Sequence, residues 1–123
     1  ENLALQGELV GDNVHGNKLK INGQKILFFN AYDFKEGRHL DFKEFIGLCT
    51  KLEIPTVPII SDNYILPKTV DELVDFATRK SLLSPDAWAE GIVVRPLKEE
   101  WDEELGRLSF KVINPEFLLN FGD

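Results

Sequence analysis

From Lys18 to Phe34 the chain reads KLKINGQKILFFNAYDF, two runs rich in branched and aromatic residues separated by Asn22-Gly23. Asn-Gly supplies the two positive φ angles of a type I′ turn, so the pattern predicts a β-hairpin over these residues. On its second strand Ile26, Phe28, Asn30, Tyr32 and Phe34 share one face, and Leu27, Phe29, Ala31 and Asp33 the other. Both faces are largely apolar, which predicts a central strand. The opening ENLALQGEL reads as the lead into another strand.

At Asp41 the period changes. Phe42, Phe45, Ile46, Cys49 and Leu52 recur at helical spacing, Asp41 and Glu44 have the spacing of a capping box, and Leu40 can staple against Phe45. Pro55 follows this helix, and TVPII predicts a short strand. TVDELVDFATRK starts with a second capping box, Thr69 and Glu72, and predicts a helix that buries Val70, Leu73, Val74 and Ala77. EGIVVRP and RLSFKVI are short and β-rich. Between them LKEEWDEELG carries five acidic residues and reads as an exposed connection with a short helical turn. Asn114 and Pro115 then cap and start a last helix, PEFLLNF. The order β, β, β, α, β, α, β, β, α predicts an α+β fold with a mainly antiparallel sheet and helices packed on it.

Composition narrows the function. In 123 residues, 43% are hydrophobic, enough for one domain with a modest core. Fourteen basic against twenty-one acidic residues leave a net charge of -7, so the surface as a whole repels phosphate backbones and any nucleotide or RNA site must be a local cluster. One cysteine, Cys49, excludes an internal disulfide framework and a cysteine-rich zinc site, and points to an intracellular, cytoplasmic protein. There is no methionine, and the chain reads as a piece of a longer protein. No apolar run is long enough for a membrane span.

Several motifs fail on inspection. GDNVHGNK, from Gly11 to Lys18, has the glycine spacing of a P-loop, but Asn17 intervenes before the lysine and the loop leads toward a hairpin instead of a helix N-terminus. His15 and His39 have no partners at metal-ligand spacing. Cys49 falls on the apolar face of a helix and reads as a small core residue. Three polar residues at the ends of apolar strands are more informative: Glu8 in LQGELVG, Glu90 in AEGIVVRP and Lys111 in LSFKVIN. A charge flanked by residues that want burial must meet an opposite charge, a metal or a solvated pocket. These three therefore read either as a structural Glu–Lys pair holding strands together or as one pocket for a hydrated divalent cation, sugar hydroxyls and phosphate oxygens. Gly91 is expected to leave room beside such a ligand. Arg95 has no firm role in the sequence, a solvent-facing strand end being one reading.

LQGELVG, FFNAYDF, EGIVVRP and SFKVINPEFL, in this order and at these separations, resemble motifs III, IIIa, IV and V of the ATP-dependent RNA ligases. These enzymes are covalent nucleotidyltransferases, as are DNA ligases and mRNA capping enzymes. The resemblance spans Gln6 to about Phe117 and implies that residues 1–123 are a C-terminal portion of an RNA ligase nucleotidyltransferase domain. It implies ATP and Mg²⁺ or Mn²⁺ as cofactors and RNA 3′-hydroxyl and 5′-phosphate ends as partners. By position, it makes Glu8 a ribose contact and Tyr32 the aromatic that stacks on adenine. It gives Glu90 the divalent metal and its waters, and Lys111 the nucleotide phosphate. Two departures follow. The nucleophilic lysine of such enzymes stands in a Lys-x-Asp/Glu-Gly motif that these residues lack, so self-adenylation by this chain alone is not expected. Ile113 stands where several relatives carry a second motif V lysine. The alternatives are a DNA ligase or a catalytically silent interaction module.

Overall fold

A computed structural model describes residues 2–11, 17 and 22–121. The longest strands are β1, Leu3–Gly11, and β2, Gln24–Asp33, which pair antiparallel from Leu3 opposite Asp33 to Gly11 opposite Gln24. The register shifts between Gln6 and Gly7, a bulge that re-aims the side chains beyond it. A short strand β3, Arg38–His39, pairs with the end of β2. Beside Phe28 the chain after the first helix takes over: the Phe28 N–H donates to Pro55 O at 3.0 Å and the Val57 N–H donates to Phe28 O at 2.9 Å. β2 is thus flanked on both sides, as its two apolar faces require. The first strand predicted for the hairpin, Lys18 to Ile21, and most of the P-loop-like stretch lie outside the described residues.

Helix α1, Phe42–Leu52, begins with the Asp41–Glu44 capping box: the Asp41 N–H donates to Glu44 Oε1 at 2.8 Å. Phe45 and Cys49 on its inner face are buried against Ala31 of β2, with Leu40, Ile46 and Ile54 around them. Losing a buried ring such as Phe45 costs about 3–5 kcal/mol. Burial raises the Cys49 thiol pKa, in keeping with a packing role. TVPII contributes a single parallel bridge, Thr56 to Phe28, and no strand.

Helix α2, Val70–Ala77, is capped by Thr69, whose Oγ1 accepts the Glu72 N–H at 3.2 Å. Ala77 is fully buried, but Val70, expected inside, is 74% exposed at the start of the helix. Strand β4, Gly91–Val94, pairs antiparallel with a later strand, Phe110–Ile113, placing Val93 opposite Lys111. Between them the acidic connection is a small hairpin, β5 (Trp101–Asp102) and β6 (Gly106–Arg107), where a helical turn was expected. Gly106 at φ +78 and the Asp102 carboxylate, which accepts the N–H groups of Glu104 and Leu105 at 2.8 and 3.0 Å, fix this turn. The strand Phe110–Ile113 is therefore β7. Helix α3, Pro115–Phe121, follows, its start held by Asn114 Oδ1, which accepts the Glu116 N–H at 2.9 Å. The fold is α+β with antiparallel sheets, as predicted, although the strands of the described residues form three small sheets instead of one.

Candidate nucleotide site

Asn114 is fully buried, and its bonds place the strand end that carries Glu90. Its backbone N–H donates to Glu90 O at 2.8 Å, while its side-chain Nδ2 donates to Ala89 O at 2.9 Å and Arg79 O at 3.3 Å. A buried amide that satisfies three chain segments holds them in one arrangement. Glu90 thus leaves the sheet at a fixed point. Gly91, next to it, packs against β7: a Cβ there would lie 2.1 Å from Val112 O. Its small size serves strand contact, which corrects the expectation of room for a ligand.

Lys111 stands opposite Val93 in the register, and its ammonium donates directly to Glu90 Oε1. Both side chains are about half exposed, 48% for Lys111 and 52% for Glu90. An ion pair this open to water contributes about 0–1 kcal/mol, so it is a weak brace and cheap to open. On β1, Glu8 lies opposite Leu27 and is exposed.

A groove of about 1070 Å³ joins these positions. Glu8, Glu90 and Lys111 all line it, with Leu27, Phe29 and Ala31 of β2 and Phe42 and Phe45 of α1. Apolar walls with a few convergent charges suit an organic ligand that carries phosphate. Tyr32 does not line this groove. Its half-buried ring makes edge contacts with Phe34 and His39, at centroid separations of 5.5 and 5.0 Å. The aromatic that β2 does present to the groove is Phe29.

The groove also exposes a polar network that the sequence reading missed. Asn30 is buried in the middle of β2, and its Oδ1 accepts from Arg95 Nη1 and Arg107 Nη2, both at 3.0 Å. Its Nδ2 donates to Gln6 Oε1 at 3.0 Å. Arg107 grips both oxygens of Glu99, at 2.6 and 3.2 Å. Arg95, whose role the sequence left open, donates to Ser109 Oγ at 2.9 Å and Phe29 O at 3.0 Å, tying β4 and β7 to β2. Burial, then the charge of Arg107, lowers the Arg95 pKa. His39 is lowered as well, by burial first and then by Arg107. An asparagine inside an apolar strand and an arginine closing one were the available signals; their pairing across 65 residues was not.

No metal is held by protein ligands alone among the described residues, where no group of three or more His, Cys, Asp or Glu converges. Glu90 and Glu8 nevertheless offer hard oxygen donors in a solvated groove. That fits a Mg²⁺- or Mn²⁺-type ion bound through one or two carboxylates, waters and substrate phosphates. No helix among the described residues is long and apolar enough to cross a membrane.

A family model described as RNA ligase matches residues 1–113. No curated protein matches the chain. Among solved structures, a Naegleria gruberi RNA ligase variant with ATP and Mn is similar at 30% identity and a TM-score of 0.83, covering 98% of this chain and 34% of that one. The same ligase with PPi is 31% identical at a TM-score of 0.81, and a variant with AMP and Mn is 31% identical at 0.82, each covering 96% of this chain and 34% of theirs. The chain spans about a third of the length of these structures. A match over 113 of 123 residues, together with the shared architecture, establishes that this chain belongs to the RNA ligase family.

Proposed function

We propose that this chain is the motif III to motif V portion of the nucleotidyltransferase domain of an ATP-dependent RNA ligase. The whole protein then joins RNA 3′-hydroxyl and 5′-phosphate ends through lysyl-adenylate and RNA-adenylate intermediates. The observation that carries this reading is the convergence of Glu8, Glu90 and Lys111 on one groove in a chain of this family. The solved relatives with ATP, AMP and PPi support the choice of nucleotide.

In this reading Lys111 turns from Glu90 to the α-phosphate, where its charge balances the negative charge that builds up during transfer. Glu90, freed from the lysine, offers its carboxylate to a divalent ion and that ion's waters; the ion supplies charge neutralisation at the phosphate. Asn114 keeps Glu90 in place while its partner changes. Glu8 takes the ribose hydroxyls. Two rings compete for the adenine: Tyr32, to which the family resemblance assigns stacking, and Phe29, which lines the groove. Comparing ATP affinity of Tyr32→Ala and Phe29→Ala assigns the platform, since a stacked ring contributes about 1–3 kcal/mol. The nucleophilic lysine comes from outside these residues, so the chain by itself forms no adenylate. A reducing, ATP-containing cytoplasm suits the free thiol of Cys49.

Sealing assays on the protein at the length of its relatives test the reading. Nicked or single-stranded RNA with 5′-phosphate and 3′-hydroxyl ends should be joined in the presence of ATP and Mg²⁺ or Mn²⁺. Sealing confined to nicked DNA would instead make the protein a DNA ligase, and no adenylation at all would make it an interaction module.

A further inference from the structure

Among the described residues, five cations and four acids line the groove, a local balance of +1 in a chain whose net charge is -7. Three of the cations are engaged: Lys111 with Glu90, Arg107 with Glu99, and Arg95 with neutral acceptors. Arg79 and Lys80 differ: among the described residues neither donates to a side-chain acceptor. Among the described residues neither has a carboxylate within ion-pair distance. Each is instead laid over an aromatic face. The Arg79 guanidinium stands 4.3 Å from the centroid of Phe76, with its Nε donating to Phe76 O at 2.9 Å, and Phe76 in turn stacks on Tyr64 at 4.2 Å and 17°. The Lys80 ammonium stands 4.0 Å from the centroid of Trp88.

Such contacts order a long cationic side chain while leaving its outer donors free, which lowers the entropic cost of gripping an anion. The backbone sets their place. Arg79 O accepts the Ala89 N–H at 3.0 Å and Lys80 bridges to Trp88, so the two cations run directly beside the segment that delivers Glu90. We propose that Arg79 and Lys80, on the aromatic shelf of Phe76, Tyr64 and Trp88, form the phosphate-binding edge that guides an RNA strand to Glu90. This rests on the RNA ligase reading and adds to it a binding site for the strand's phosphodiester groups. The exposed face of Tyr64 offers a stacking surface for an adjacent base, the sequence-tolerant combination that single-stranded RNA sites use.

ATP also carries phosphates, and the test separates the two sources. Using the protein at the length of its relatives, fluorescence anisotropy should follow a 5′-phosphorylated single-stranded RNA across a salt series, alongside ATP affinity by calorimetry. Arg79→Gln/Lys80→Gln should weaken RNA binding about tenfold or more and flatten the plot of log affinity against log salt by about 0.7 per lost cation. Lys80→Gln alone, an exposed change that spares the fold, should show part of the same loss, and Arg79→Lys/Lys80→Arg should restore binding. Unchanged RNA affinity and salt slope would overturn the proposal while leaving the ligase reading intact. A loss of ATP affinity equal to or greater than the loss of RNA affinity would assign these cations to the nucleotide and also overturn it. A parent protein that neither binds nor seals RNA would remove both.

Discussion

The groove has two polar centres built on opposite terms. In one, Asn30, Arg95, Arg107, Glu99 and Ser109 are hydrogen-bonded to one another and hold β2 against β4, β6 and β7. In the other, Glu90 and Lys111 meet in a half-exposed pair whose partners water can replace at little cost. Charges satisfied internally stabilise; charges left cheap to separate are available for chemistry. The Glu–Lys contact of the bland reading is present, while the more buried bracing lies in the other centre.

If that contrast holds, substitutions at the two centres should separate activity from stability. The largest effect is expected for Glu90→Ala and Lys111→Ala in the full-length protein. Each should lower adenylyl transfer by about 10²-fold or more, the scale of losing a group that acts on developing charge. Urea unfolding should show each within about 1 kcal/mol of the parent. Asn30→Ala should do the reverse, costing about 2–3 kcal/mol because two guanidinium groups lose their shared buried acceptor. Gly91→Ala tests the strand contact next to Glu90. With a Cβ 2.1 Å from Val112 O the β4–β7 pairing must shift, at a cost of about 1–3 kcal/mol, and activity should fall with it.

The smallest expected effect is a pH dependence at the edge of the buried network. His39 has a lowered pKa, so the unfolded chain binds its proton at a higher pH than the folded one. Stability should therefore fall as pH drops below the ordinary imidazole value of about 6.5 and level off below the depressed folded-state value. His39→Gln should flatten that part of a stability–pH curve measured by thermal melting.

The sequence announced the open centre better than the closed one. Glu8, Glu90 and Lys111 stood out because a charge beside an apolar strand violates local pattern. The Asp41–Glu44 capping box and the Thr69 N-cap were readable because their hydrogen bonds span three residues, although at Thr69 only the N-cap half of the predicted box is present. Arg95 could not be assigned from sequence because its acceptors, Phe29 O, Asn30 and Ser109, come from distant strands that nothing local predicts. The small β5–β6 hairpin hid in an acidic run whose turn depends on Asp102 and Gly106 more than on periodicity. Gly91 was assigned to the wrong neighbour for the same reason: register with Val112 decides its size, and register is a tertiary fact. Tyr32, marked by family pattern, lies outside the groove that Phe29 lines.

A double-mutant cycle at Glu90 and Lys111 tests most directly that their pair is there for chemistry instead of cohesion. The full-length protein, the two alanine variants and the double variant would be compared by urea unfolding and by ATP-dependent mass gain of one AMP. A stability coupling below about 1 kcal/mol, with AMP attachment lost in all three variants, is the predicted result. A coupling of several kcal/mol with AMP attachment near the parent level would contradict it and make the pair a structural brace.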